Sequence, residues 1–153
     1  MVPSNILVPT DLSERAERAL DYACDLAARL DATVHLVHVI AVPATSVPEL
    51  GVALASTMID ALVDDDQRAL DNLADSRRSR CRIGERILTT GDARDAICET
   101  AKELGVDLIV MGTHGRRGLV RALLGSVAES VVRSAPCPVL TVCAPDHAHR
   151  DAA

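Results

Sequence analysis

A glycine-punctuated, basic stretch from Gly112 to Ser126 contains the residue types that most clearly suggest chemistry. It carries four glycines and follows the apolar run 108–111, which is typical of a buried strand. Glycine permits positive φ angles and leaves no Cβ in the way of a ligand. Ser126-x-x-Glu129 has the form of a capping box, which predicts that a helix begins there. Strand, glycine loop and helix start together predict a phosphate site.

The loop offers cations but no obvious general base. Lys102 is the only lysine of the chain and lies outside the loop, so a phosphate there must be met by arginine side chains or backbone N–H groups. Arg116, Arg117 and Arg121 could clamp a triphosphate or project into solvent, and both alternatives stay open. For His114, a solvated or backbone-bonded role is favoured over a catalytic one. These residue types favour binding over catalysis.

Composition narrows the classes of protein to which the chain could belong. Its 153 residues are typical of one domain, and 48% are hydrophobic while Tyr22 is the only aromatic residue. A core of Val, Leu, Ile and Ala suits helices packed on a parallel sheet. The formal net charge of −6 argues against a general nucleic-acid binder, which needs many basic residues to neutralise phosphates.

Cysteine spacing and hydropathy indicate the environment. The five cysteines are widely spaced with no Cys-x-x-Cys pair, so we predict reduced, mostly buried thiols and no zinc site. The N-terminus has no basic signal region, and every apolar segment is far shorter than the roughly 20 residues that span a bilayer. A soluble cytoplasmic protein without a membrane segment is expected.

Strands and helices alternate along the chain. Short apolar or β-branched runs predict strands at 6–8, 33–40, 82–88, 107–111 and 138–142. Helical spacing predicts helices at 13–30, about 49–78, 92–105 and 126–134. Within the second helix, the triplet 64–66 of aspartates is expected to form a solvated face. Pro43 and Pro48 mark a loop before it.

This order of elements predicts the fold class α/β, a three-layer open sheet of five parallel strands with helices on both faces, because parallel neighbours need right-handed crossovers. We expect a single domain at 1–143 and a frayed polar tail at 144–153. In such sheets a ligand binds beyond the carboxyl ends of the strands, where the strand order reverses. If the order is 3-2-1-4-5, the segment 9–11 faces the glycine loop across that crevice.

Two further residues at the predicted crevice have alternative roles. Asp11 could accept hydrogen bonds from ribose hydroxyls, but it is also a plausible helix N-cap with Ser13 nearby. The backbone near Val39, at the end of the second strand, could read a purine edge. Ser126 could be a purely structural cap or could expose N–H groups to a phosphate. His35 and His38 lie within the second strand and are expected to be packing residues.

The spacing of the loop resembles a known signature. Gly112-x-x-Gly115, nine residues and then Gly125-Ser126 resembles the G-2x-G-9x-G-(S/T) nucleotide motif of the universal stress protein family. The resemblance extends from the segment 6–11 through 36–39 to 136–140. It implies a Rossmann-like sheet in the order 3-2-1-4-5, similar to the adenine nucleotide alpha hydrolases, with ATP at the crevice between strands one and four.

The resemblance also implies roles for individual residues. Asp11 would meet ribose or adenine, and the backbone of Val39 would contact adenine. The ribose and phosphates would be held by Gly112, Gly115, Gly125 and Ser126. The pocket would be lined by Pro9, Thr10, Met111, Arg116 and Val127. A Mg²⁺ could be coordinated by the phosphates without protein ligands.

One favoured function is weighed against three alternatives. The favoured one is an ATP-binding regulatory or stress-response protein with at most slow hydrolysis. The alternatives are an ATP-using enzyme of the same fold, a binder of another adenine nucleotide such as cyclic AMP, and a scaffold whose loop binds nothing. The intact glycine spacing argues against the scaffold. The enzyme would usually carry a Ser-Gly-Gly-x-Asp-Ser-type loop after strand one, which this chain lacks.

The last strand predicts self-association. Without a cover, an apolar edge strand would leave backbone hydrogen-bonding groups unpaired. The family resemblance implies a homodimer along this strand, and antiparallel pairing across a two-fold axis would cover it. The residues involved would be Val139, Leu140, Thr141 and Val142. A downstream protein partner is expected but not identified by the sequence.

Overall fold

Alternating strands and helices form the chain throughout the described residues. The computed structural model describes residues 2–40, 52–113 and 124–143, and only the backbone of 52–60. The predicted loop with Pro43 and Pro48 and the tail at 144–153 lie outside these ranges. The elements are β1 (Asn5–Thr10), α1 (Glu14–Leu30), β2 (Thr33–Ile40), α2 (Val52–Asp75), β3 (Arg82–Thr90), α3 (Ala93–Glu103), β4 (Leu108–Gly112), α4 (Ser126–Ser134) and β5 (Val139–Val142).

The five strands form one sheet in the order β3-β2-β1-β4-β5. Every neighbouring pair is parallel, which confirms the predicted fold class and strand order. The predicted element ends shift by a few residues: α2 is shorter than 49–78 and β3 runs on to Thr90. The helices occupy the crossovers because parallel strands cannot be joined by tight turns.

Alternate residues of β1 face two separate hydrophobic cores. Ile6 and Val8 pack with residues of α1 and α2, such as Leu20 and Leu70, on one face of the sheet. Leu7 packs on the other face, with residues of α3 and α4. The period of two along a strand places these neighbours on opposite faces. The protein is therefore a three-layer α/β structure, as predicted.

The prediction that all cysteines are reduced is wrong for two of them. Cys24 of α1 and Cys81, just before β3, are joined in a disulfide with a Cα–Cα distance of 5.1 Å. Cys98, Cys137 and Cys143 are free. Sequence spacing did not reveal the pair, because 57 positions separate the two residues and only the packing of α1 against the start of β3 brings them together.

Among the helices described, none combines the length and apolar character required to cross a membrane.

Candidate functional site

Strand β1 separates from β4 towards the carboxyl edge of the sheet. Its ladder with β2 covers all six residues from Asn5 to Thr10. Its ladder with β4 covers only Ile6 and Leu7, paired with Leu108 and Ile109. Both strands continue beyond that point, to Thr10 and Gly112. Their carboxyl ends are therefore unpaired with each other at the place where the strand order reverses, which opens a crevice there.

On the β1 side of the crevice, short hydrogen bonds hold a tight turn. The buried Thr10 accepts a bond at Oγ1 from the Leu12 N–H at 3.0 Å. Asp11 Oδ1 accepts bonds from the Ser13 N–H, at 3.1 Å, and from the Ser13 hydroxyl. Leu12 has a φ of 60°, in the left-handed region that non-glycine residues rarely adopt. Sequence reasoning missed this conformation because no glycine marks it.

Ser13, not Asp11, is the N-cap of α1. The Ser13 Oγ accepts a bond from the Ala16 N–H at 3.3 Å, and Ser13 has the extended backbone of an N-cap. Asp11 instead orients the Ser13 hydroxyl. The alternative role of Asp11 as a cap is thereby replaced by a supporting role, and its carboxylate remains at the carboxyl end of β1 beside the crevice.

Buried His38 links the end of β1 to helix α2. Its Nδ1 lies 2.8 Å from the Thr10 carbonyl oxygen and its Nε2 lies 3.3 Å from Asp66 Oδ2. Both contacts are to oxygen atoms, so the ring of His38 joins the end of β1 to Asp66 of α2. Asp64 and Asp65 are exposed as predicted, but Asp66 is only half-exposed and faces His38. Sequence reasoning grouped Asp66 with a solvated face because helical periodicity does not show a histidine on a distant strand.

On the β4 side, one hydrogen bond closes the base of the glycine loop. Met111 and Thr113 are buried, and the Thr113 N–H donates to the Val142 carbonyl of β5 at 3.1 Å. The Gly125 N–H donates to the Thr113 carbonyl at 2.6 Å. This bond brings the start of α4 to the carboxyl edge of β4. Residues 114–123 between these two ends, with the predicted site residues Gly115 and Arg116, lie outside the described residues.

Helix α4 begins without a side-chain cap. The N-cap is Gly125, at φ −71° and ψ 156°, and Ser126 is the first helical residue. The predicted capping box is therefore wrong by one residue. The Glu129 carboxylate instead accepts a hydrogen bond from Arg133 at 3.0 Å. The first N–H groups of a helix have no intrahelical partner and carry partial positive charge, so this terminus suits an anion.

The predicted site residues in the described ranges lie at one edge of the sheet. β2, β1 and β4 are consecutive parallel neighbours, so the residues at their carboxyl ends share that edge, and the bond from Gly125 adds the start of α4. They are Pro9, Thr10, Asp11, Val39, Met111, Gly112, Gly125, Ser126 and Val127. Val127 is 41% exposed. Among the described residues, no group of three or more His, Cys, Asp or Glu side chains could hold a metal ion.

The pKa shifts found among the described residues lie outside the predicted site. Burial lowers the pKa of His35, against the opposing effect of the Glu85 carboxylate. Hydrogen bonds from the Ser4 and Asn5 N–H groups and from the Ser4 hydroxyl lower the pKa of Asp107. These two groups stabilise the sheet: His35 Nδ1 accepts from the Glu85 N–H at 3.0 Å, and Asp107 joins the amino ends of β1 and β4.

The fold and the site define a class of protein: an open, doubly wound α/β domain with a crevice at the switch point and an uncapped helix start beside it. Its sequence matches the universal stress protein family over residues 3–142. The chain belongs to this family, as its motif spacing predicted.

Individual relatives agree with this assignment. Universal stress protein MJ0531 of Methanocaldococcus jannaschii is 37% identical over 144 residues, which cover 92% of this chain and 82% of that protein. The structure of the universal stress protein UspA from Lactobacillus plantarum matches with a TM-score of 0.80 at 28% identity, covering 91% of this chain and 97% of that one.

Two other similar structures contain nucleotides. A universal stress protein in complex with cAMP matches with a TM-score of 0.65 at 25% identity, covering 94% of this chain and 98% of that one. A universal stress protein from Archaeoglobus fulgidus in complex with dAMP matches with a TM-score of 0.60 at 26% identity, covering 92% and 98%.

Proposed function

We propose that the crevice between β1 and β4 binds ATP and that the protein is a nucleotide-dependent regulatory protein of the stress response. The observation that carries this proposal is the early end of the β1–β4 ladder, after Leu7 and Ile109, beside an α4 start that has no side-chain cap. Separated strand ends give room for a nucleoside, and the free N–H groups of a helix start suit its phosphates.

Each predicted site residue has a role in this proposal. The Asp11 carboxylate accepts bonds from the ribose hydroxyls or from adenine, and the backbone of Val39 contacts the adenine edge. Gly125 leaves space for the phosphates at α4. The other residues of the phosphate and ribose site are Gly112, Gly115 and Ser126, and the pocket is lined by Pro9, Thr10, Met111, Arg116 and Val127.

Gly125 supports the phosphate assignment in a specific way. Its φ of −71° is open to any residue, so the backbone conformation does not require glycine there. The useful property of this glycine is the missing side chain, which lets a ligand approach the helix start closely. The dAMP and cAMP complexes of relatives support an adenine base in this family.

Slow hydrolysis, at most, is part of the proposal. Phosphoryl transfer to water needs a positioned nucleophile and neutralised charge at the γ-phosphate. Thr10 and Asp11, the polar residues at the carboxyl end of β1, both accept hydrogen bonds within the turn that leads into α1. A Mg²⁺ would be held through the phosphates. An ATP-using enzyme of the same fold is the alternative, and cyclic AMP is the alternative ligand.

The nucleotide proposal is tested on the purified protein. Denaturation should release an adenine nucleotide, identified by mass spectrometry, and titration calorimetry of stripped protein should detect ATP binding. ATP, dAMP and cyclic AMP are compared with and without Mg²⁺. Absence of binding by all three would overturn the proposal, and tighter binding of cyclic AMP would replace ATP as the ligand. ATP turnover within the roughly 1–100 per second of kinases would favour the enzyme.

A substitution in the glycine loop locates the site. Gly115→Val places a branched side chain where the phosphates are proposed to lie, and it should abolish ATP binding while the far-ultraviolet circular dichroism stays unchanged. Ala61→Val, at an exposed position of α2, is the control and should bind normally. If the two variants bound ATP equally well, the loop assignment would be wrong.

Assembly and location complete the proposal. Residues 1–143 form one nucleotide-binding domain, 144–153 form a tail, and the protein acts in the cytoplasm without nucleic acid. Its β5 residues Val139, Leu140 and Val142 are half-buried, and Thr141 is exposed, at the edge of the sheet. Two copies pair along this strand, and a further protein receives the signal. Light scattering at micromolar concentration should show a dimer, and a monomer would contradict it.

A further inference from the structure

The disulfide between Cys24 and Cys81 lies on the face of the sheet covered by α1 and α2. Cys24 is fully buried in α1, whereas Cys81 is 8% exposed and directly precedes β3. Their Cα–Cα distance of 5.1 Å is within the range that a disulfide spans without backbone movement. The bond fastens α1 to the chain between α2 and β3, and it closes a loop that contains β2 and α2.

Ion pairs hold the same two segments together independently of the sulfur atoms. Arg77 contacts Glu17 at 2.8 Å and Asp21 at 2.9 Å. Arg80 contacts Asp21 at 2.8 Å and Asp25 at 2.8 Å. The acidic partners recur every four residues along α1, so they form one stripe of the helix.

This arrangement has a consequence for the reduced protein. The arginine contacts do not depend on the disulfide, so the two thiols should stay close together when the bond is open. We infer that Cys24 and Cys81 form a reversible thiol–disulfide pair that fastens α1 to the start of β3 when the protein meets a small-molecule disulfide.

The exchange proceeds in two balanced steps. Cys81, which is 8% exposed where Cys24 is fully buried, loses its proton to solvent and its thiolate attacks one sulfur of the small-molecule disulfide, which releases one small thiolate and leaves a mixed disulfide on Cys81. Cys24 then loses its proton and attacks the Cys81 sulfur. This second step expels the other small thiolate and forms the Cys24–Cys81 bond. The protein is oxidised by two electrons and the small disulfide is reduced to two thiols.

Two of the other cysteines lack the partner that defines this pair. Cys98 and Cys137 are free thiols, and burial raises the pKa of each, which lowers the fraction of reactive thiolate. Cys143 is exposed, so its oxidation shows how an accessible cysteine outside the pair reacts under the same conditions. Selective oxidation of the pair would follow from its geometry, not from exposure.

The test uses the full chain, reduced with dithiothreitol, desalted and then treated with oxidised glutathione. Alkylation and peptide mapping should show that Cys24 and Cys81 become protected together in one linked peptide, and dithiothreitol should reverse the protection. The midpoint of thermal unfolding should rise by about 10 °C on oxidation, because a cross-link over a long loop restricts the unfolded chain.

Two variants test whether the shift in unfolding midpoint comes from the Cys24–Cys81 disulfide or from oxidation of other cysteines. Cys81→Ser should lose the shift in unfolding midpoint, whereas Cys98→Ser, the buried control, should keep it. The inference is overturned if Cys24 and Cys81 still react with the alkylating agent after oxidation, if they pair with other cysteines, or if the wild-type midpoint of unfolding does not change. Because the wild-type protein supplies the main readout, failure of a variant to fold leaves the test intact.

Discussion

The two flanks of β1 are built differently. Towards β2, six paired residues run the full length of the strand, and His38 adds a side-chain contact to the Thr10 carbonyl at the carboxyl end. Towards β4, the two strands pair at two positions. At the amino end, the Asp107 carboxylate receives the Ser4 and Asn5 N–H groups at 2.8 and 2.9 Å. The β1–β2 side, which we call the closed flank, is paired along its whole length. The β1–β4 side, the open flank, is held together at its amino end, away from the proposed ligand.

The difference between the two pairings shows where this sheet can lose hydrogen bonds without losing its cores. The Asp107 clamp and the Asp107 N–H bond to the Asn5 carbonyl at 2.9 Å secure β4 at its amino end. The carboxyl ends are then free to part, while both hydrophobic cores remain intact beneath them. Substitutions on the β2 side should therefore change stability, and substitutions on the β4 side should change nucleotide binding.

The largest effect is expected from Gly84→Val in β3, the strand that pairs with β2 on the closed side of β1. A Cβ at Gly84 would lie 2.7 Å from His35 Cε1 and 2.8 Å from Thr33 Cγ2. The neighbours are ring and methyl groups held within the sheet, so overpacking should cost about 3 kcal/mol of unfolding free energy. Urea denaturation measures the loss.

Thr90→Val, at the exposed end of the same strand, is the control for Gly84→Val and should change stability little. The folded fraction of Gly84→Val should still bind ATP with wild-type affinity, because the open flank is untouched. Equal stability of Gly84→Val and the wild-type protein would show that the contact around His35 relaxes easily.

A substitution at Gly125 should separate binding from stability on the open flank. Gly125→Asp adds a capping carboxylate to α4, which should raise the free energy of unfolding by about 0.5 kcal/mol. The same negative charge would meet the proposed phosphates, so ATP affinity should fall about 100-fold or more. Calorimetry and urea denaturation give the two quantities.

Gly125→Asn provides the neutral comparison for Gly125→Asp. It should keep most of the gain in stability and lose less affinity, because it caps the helix without a charge. Unchanged ATP affinity in the aspartate variant would place the phosphates away from α4.

Helix α1, on the β1 side of the crevice, has a side-chain cap, so removal of that cap should lower its stability. Ser13→Ala removes the cap of α1 and should cost about 1 kcal/mol of stability. Ser134→Ala, at the exposed end of α4, should cost much less. Denaturant midpoints of the two variants test this. A neutral Ser13→Ala would mean that Asp11 takes over the cap.

The smallest effect is a pH dependence on the closed flank. Burial lowers the pKa of His35, so the unfolded chain takes up this proton at higher pH than the folded protein does. The stability that neutral His35 contributes is present above its unfolded pKa of about 6.5 and declines below it, by about 0.7 kcal/mol or less between pH 7 and pH 6. Urea denaturation of His35→Gln, compared with wild type at both pH values, should show a smaller decline. An equal decline in both proteins would assign it to other groups.

Local patterns predicted much of the fold correctly. The alternation of strands and helices and the parallel sheet followed from hydrophobic periodicity and connection chirality, and the strand order was implied by the family resemblance that the glycine spacing supports. The start of α4 at Ser126 was predicted correctly, but its cap was not, because Ser126 and Glu129 have the right types for a capping box while Gly125 takes the cap position. Propensities have little power to separate two adjacent candidates at a helix end.

The sequence by itself determined the α/β alternation, the family and the position of the glycine loop after β4, because each rests on residues close together in the chain. The tertiary structure decided that Cys24 meets Cys81, that His38 meets Asp66 and that Leu12 adopts a left-handed conformation. These features depend on packing between segments distant in sequence or on the path of the chain between two packed elements. No periodicity reports such contacts, so they become visible only when the sheet and its helices are assembled.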